Sequence, residues 1–140
     1  MINGINVQMP TADRNYCKFD GIKVLYYLSK KEEALPELYD TLQKSNDEGE
    51  ICETIYIADR LIENGVKGVD KLYPALSRFN DTKSPNIQTF LAGVYRKTKV
   101  PDAFGPLVKM LIQNSINPPK EPQSFDPNEE IGGAILEYLA

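Results

Sequence analysis

Glu33-Ala-Leu-Pro-Glu-Leu-Tyr-Asp-Thr-Leu42, Lys71-Leu-Tyr-Pro-Ala-Leu-Ser-Arg-Phe79 and Ala103-Phe-Gly-Pro-Leu-Val-Lys-Met-Leu111 share one layout, a proline set two residues before an apolar anchor. The prolines are Pro36, Pro74 and Pro106, spaced 38 and then 32 residues apart. Proline is tolerated in a helix only within the first turn, so each stretch reads as a helix start. The segments before the second and third copies also correspond. Ala58-Asp-Arg-Leu-Ile-Glu-Asn-Gly-Val66 aligns with Ala92-Gly-Val-Tyr-Arg-Lys-Thr-Lys-Val100 at an offset of 34 residues. The unit is therefore a helix, a short turn, and a second helix with an early proline, and a recurring unit decides architecture.

Working outward, Asp20 suits the N-cap of a first helix carrying Ile22, Leu25, Tyr26 and Leu28 at helical spacing. Ser29 with Glu32 reads as a capping box before the helix of Leu35, Leu38 and Leu42. Turn residues Ser45 to Gly49 precede a helix from about Glu50 to Glu63, stopped by Asn64-Gly65. A fourth helix carries Val69, Leu72, Leu76 and Phe79, and a fifth begins at Ser84-Pro85 and presents Ile87, Phe90, Leu91, Val94 and Tyr95. A sixth opens at Pro101-Asp102, and Asn117-Pro118-Pro119 forbids its continuation. Asp126-Pro127-Asn128-Glu129 starts a last helix with Ile131, Ile135, Tyr138 and Leu139 on one face. The expected core is Leu38, Ile55, Ala58, Leu72, Leu76, Phe90, Leu91, Val94, Val108 and Leu111.

Over residues 21 to 115 the paired units resemble the HEAT-like helical repeat family. The resemblance implies an all-α fold, a short right-handed stack of antiparallel helix pairs with a C-terminal capping helix. It divides the chain into an irregular arm (1–19), a helical-repeat domain (20–116), a proline-rich linker (117–126) and a docking helix (127–140). It implies fold rather than chemistry, because such proteins are usually scaffolds or adaptors binding through the surface of the second helices.

At 140 residues, 41% hydrophobic and 26% charged, the chain can bury one core, and its net charge of −4 disfavours nucleic acid, which requires several neutralised phosphates. Cys17 and Cys52 have neither zinc spacing nor disulfide density, and two thiols are expected. No signal peptide or spanning run is legible, so the expectation is a cytoplasmic protein away from the membrane.

Histidine is absent, which removes the usual general base and the commonest metal ligand. Glu32-Glu33 and Glu129-Glu130 read as helix-start acids, and Asp47, Glu48, Glu50 and Glu53 lack the alternating spacing of a calcium loop. Arg96, Lys97 and Lys99 beside Tyr95 fall where a helix should end, and cations are favoured there for a local reason. Pro119-Lys-Glu-Pro122 reads as a spacer. Gly132-Gly133 costs about 1 kcal/mol per glycine against alanine, so either a neighbour approaches that backbone closely or the pair is a hinge.

No catalytic, metal or cofactor site is expected. The expectation is a non-enzymatic protein-interaction module with a protein partner, and homodimerisation is compatible with it. Helical phase alone puts Asp40, Lys44, Ser77, Arg78, Lys109 and Gln113 on the outer side of the second helices as the partner-binding candidates. The alternatives weighed are a small acidic immunity or antitoxin-type protein and, least favoured, a HEAT-like nucleic-acid repair enzyme, which would need a cationic groove. Residues 71–116 hold seven basic and two acidic residues, whereas 117–140 hold one and five. Opposite fields should steer the last helix back onto the third repeat, with its apolar face supplying the adhesion.

Overall fold

Asp20 opens the first helix among the described residues, α1 (Gly21–Lys30), by accepting hydrogen bonds from the Ile22 and Lys23 amides at 3.0 and 3.3 Å. The computed structural model describes residues 19–118 and 126–140, and among these every regular element is helical. The proposed arm up to residue 18, with Cys17, and the Pro119–Pro122 spacer lie outside the described residues.

The Ser29–Glu32 capping box is not formed. Ser29 lies inside α1, and its hydroxyl donates to the Tyr26 carbonyl at 2.6 Å. The chain reverses instead at Lys31, whose φ of 53° lies in the left-handed region. Helix α2 (Leu35–Lys44) follows, and then α3 (Glu48–Glu63), capped by Asp47 accepting from the Glu50 amide at 2.8 Å. Gly65, at φ 80°, ends α3 by letting the Gly65 and Val66 amides turn back to the Ile62 and Leu61 carbonyls.

The expected fourth helix is broken into three pieces. A 3-10 turn (Val69–Leu72) leads into a single α-turn, α4 (Tyr73–Leu76), and a second 3-10 turn (Ser77–Phe79). Proline explains the first break: Pro74 has no N–H for the Asp70 carbonyl, which is taken by the Tyr73 amide in the tighter 3-10 pattern. The copy at Pro36 repeats this device, with the Leu35 amide on the Glu32 carbonyl, whereas before Pro106 the Asp102 carbonyl accepts from the Tyr73 hydroxyl. A 3-10 turn (Lys31–Ala34) precedes Pro36, and another (Pro101–Ala103) precedes Pro106 and replaces the expected helical start at Pro101. Helix α5 (Pro85–Thr98) has the Ser84 cap read from its sequence, and α6 (Phe104–Ile116) follows. Helix α7 (Pro127–Leu139) is capped by Asp126, which accepts from the Asn128 amide at 2.9 Å.

Helix α1 packs on α3, α3 on α5, and α5 on α7, while α2 touches α3 and α4, and α7 also lies on α6. Phe104 and Tyr138 have ring centroids 5.6 Å apart, and Asn114 Nδ2 is 3.0 Å from Asn128 Oδ1, so α6 and α7 run antiparallel. Seven of the ten expected core residues are buried. Phe90, Val108 and Leu111 are only half-buried. On α6 the buried stripe runs instead through Leu107 and Met110, next to Ala103, because α7 covers the flank that bears Phe104.

On α7, Ile131 and Ala134 are fully buried and Ile135 and Tyr138 partly so. Leu139 departs from expectation, since it is exposed. The two glycines differ. A Cβ on Gly133 would lie 3.2 Å from the Arg96 guanidinium, so that glycine admits the α5 side chain, whereas Gly132 meets nothing within 4 Å.

Candidate interaction surface

Of the six positions chosen by helical phase five are exposed and Ser77 is half-buried. Asp40 and Lys44 pair across one turn of α2 at 2.9 Å, and Lys109 of α6 reaches Asp81 at 3.0 Å. Both pairs are solvated, so each contributes little to stability. The Asp40 carboxylate nonetheless holds the Lys44 ammonium above its ordinary pKa. Ser77 donates to the Pro74 carbonyl, and Gln113 is exposed on α6.

Arg78 is exposed, as its phase predicts, and is the most heavily bonded of the six. Its guanidinium donates to the Leu42 carbonyl at 2.9 Å, to the Ser45 carbonyl at 2.7 Å and to Asn46 Oδ1 at 2.6 Å. These include the orphan acceptors at the C-terminal end of α2, so a cation from a distant segment caps that helix where no glycine does. The planar fork reaches three acceptors at once, which a lysine in its place could not match in geometry.

The basic run at the end of α5 is likewise engaged. Lys97 lies 2.7 Å from Asp59 and 2.6 Å from Glu63, both on α3. Burial pulls the Lys97 ammonium down, but its hydrogen bonds to Asp59 and Glu63 outweigh this and hold it above its ordinary pKa. The hydrogen bond from Lys97 in turn holds the Glu63 carboxyl low. Arg96 and Lys99 both approach Glu137 of α7, at 3.8 Å. Helix end and neighbouring acids account for these cations without a phosphate ligand.

The acids near the start of α3 are dispersed over separate tasks. Asp47 caps, Glu48 accepts from Asn86 at 3.0 Å, and Glu53, buried on α3, accepts from the Asp20 amide at 3.0 Å and from Lys23 at 2.7 Å. Glu53 thus ties α1 down. The tyrosines serve packing with a polar end. Tyr95 is fully buried and donates to Asn80 at 2.7 Å, Tyr73 donates to the Asp102 carbonyl, and Tyr138 donates to the Val100 carbonyl at 2.6 Å. Burial pushes the Tyr95 and Tyr138 hydroxyls up, Tyr138 to about 12.

Sequence reasoning missed the polar knot joining α5, α6 and α7. Asn114 donates to Gln88 Oε1 at 2.8 Å and to Asn128 Oδ1 at 3.0 Å, while Gln88 donates to the Thr82 carbonyl. Only an amide recurring on the buried side of each helix signals it.

Large apolar side chains remain exposed on two outer faces. On α1 these are Ile22, Leu25 and Tyr26, with Tyr26 braced by Lys30 Nζ at 5.1 Å from its ring centroid. On α6 and α7 they are Ile112, Ile116, Leu136 and Leu139, at 52, 67, 68 and 68% exposure. Comparison of the chain with protein-family models, curated proteins and solved structures finds no match.

Proposed function

We propose that this chain is a non-enzymatic protein-binding module built as a short HEAT-like stack of helix pairs. The neighbour order α1, α3, α5, α7 supports the stack, with α2 and α4 forming the second row. One observation carries the binding reading: charged groups are mostly satisfied within the molecule, whereas seven large apolar side chains stand exposed in groups on α1 and on α6 with α7. Clustered exposed apolar residues rimmed by polar ones mark interaction sites. The exposed second-helix residues Asp40, Lys44, Arg78, Lys109 and Gln113 would form a polar rim.

A photo-crosslinking amino acid placed singly at Leu25, Leu136, Asp40 and Gln113 in the cell of origin tests the reading. Crosslinks to one recurrent protein at the apolar positions are expected. Cells in which none of the four positions crosslinks to protein would overturn it.

A further inference from the structure

Asn64 and Gly65 end α3, and both are exposed. Gly65 takes φ 80°, and a Cβ on it would meet nothing within 4 Å. An asparagine followed by glycine is prone to deamidation, because no side chain hinders the next backbone nitrogen from reaching the asparagine's amide carbon. Among the described residues Asn64 alone has this neighbour; the other asparagines there precede Asp, Ile, Ser, Pro or Glu. The fold holds both nitrogens that the reaction needs. The Gly65 amide, which would attack, donates to the Ile62 carbonyl at 3.0 Å. Asn64 Nδ2, which would leave, donates to the Arg60 carbonyl at 2.8 Å. The Val66 amide closes the turn on the Leu61 carbonyl at 3.0 Å.

We propose that Asn64 is a spontaneous modification site gated by opening of the last turn of α3, and that its conversion unlocks that helix end. When the turn opens, the Gly65 nitrogen gives up its proton and bonds to Asn64 Cγ. The Cγ–Nδ2 bond breaks, and the side-chain nitrogen leaves as ammonia with that proton. Water then opens the cyclic imide at either carbonyl, leaving aspartate or isoaspartate, with no oxidant or reductant required. The product cannot close the turn as before. Its carboxylate has no N–H for the Arg60 carbonyl, and it puts a negative charge beside Glu63 at the negative end of the α3 dipole. Isoaspartate also adds a carbon to the backbone at the stop. Because Glu63 and Asp59 hold Lys97 of α5 from this same end of α3, at 2.6 and 2.7 Å, loosening it weakens the tie between the two helices. The inference goes beyond the binding-module reading and uses none of that reading's exposed apolar residues, so either can fail without the other.

Peptide mapping by mass spectrometry tests it, on the full chain incubated at mildly alkaline pH, folded or unfolded in urea, until asparagines among the described residues convert. Asn64 should convert first of these in both states. In the folded chain it should do so at least about tenfold more slowly than in urea, as for a reaction confined to a locally opened state. Leu61→Ala, which loosens the last turn of α3, should speed conversion severalfold in the folded chain and leave the rate in urea as it was. Asn64→Asp, standing in for the product, should lower the melting temperature and quicken amide exchange at residues 60–66. Equal rates in the folded and urea-unfolded chain would overturn the proposal. So would earlier conversion of another described asparagine, a parental folded-state rate in Leu61→Ala, or an Asn64→Asp chain with the parent's melting temperature and exchange.

Discussion

Helices α3 and α6 begin from similar material, an apolar run at helical spacing, and end in opposite circumstances. Helix α3 has neighbours on several sides, α1, α2 and α5, and buries Ile51, Cys52, Ile55, Ile57, Ala58 and Leu61. Helix α6 buries Leu107 and Met110 and leaves Ile112 and Ile116 in water. Hydrophobicity along a helix therefore measures how much contact it can make, and the number of neighbours decides how much it does make.

The comparison is broken or sharpened first by truncation in the interior. Leu61→Ala or Leu91→Ala, at fully buried positions, should cost about 2 to 5 kcal/mol in urea denaturation. A cost under about 1 kcal/mol at both would mean that α3 and α5 are not packed as described. Next comes Arg78→Ala, expected to cost about 1 to 1.5 kcal/mol because carbonyls at the end of α2 lose a charged donor that water replaces only in part. Arg78→Lys should recover little, since an ammonium cannot fork to three acceptors. Wild-type stability in the alanine variant would show that water replaces the guanidinium at the end of α2 without cost.

Tyr138→Phe should cost about 1 kcal/mol at neutral pH, the usual worth of one hydrogen bond. Its folded pKa of about 12 exceeds the ordinary tyrosine value of 10.0, so this group's stabilisation is complete below pH 10 and is lost as pH rises through 12. The gap in melting temperature between parent and variant should then narrow over that window. A constant gap from pH 8 to 12 would show that the hydroxyl does not titrate through the fold.

Smaller still is Lys97→Met. Glu63 stands below its ordinary pKa because of Lys97, so its contribution is present above the unfolded value and disappears as pH falls through the folded one. The variant should lose part of the parent's acid sensitivity, read from melting temperature between pH 6 and 3; identical acid profiles would exclude the pair. At the bottom of the scale, Leu136→Ala should change stability by less than about 0.5 kcal/mol.

Much of the fold was legible because caps are local chemistry. Asp20, Ser84 and Asp126 each accept the amide that a first turn leaves free, and Gly65 turns the chain where Asn64-Gly65 said it would. The 3-10 turns before Pro36, Pro74 and Pro106 follow from the same proline chemistry, although that chemistry was read only as a helix start. What was not legible depends on partners distant in sequence. Arg78 reaches 36 residues back to Leu42, and the Asn114–Gln88 contact spans 26. Helical phase put Arg78 at the surface, where it stands, but phase carries no information about a neighbouring helix end in need of a donor. Leu139 fails for the mirror reason, since its phase is apolar but no neighbour arrives to cover it.

The most direct measurement is native-state amide hydrogen exchange resolved helix by helix. Slowest exchange through α3 and α5, which bury side chains against several neighbours, and faster exchange through α6 is the predicted result. Exchange in α6 as slow as in α3, or one uniform rate across all the helices, would contradict the account.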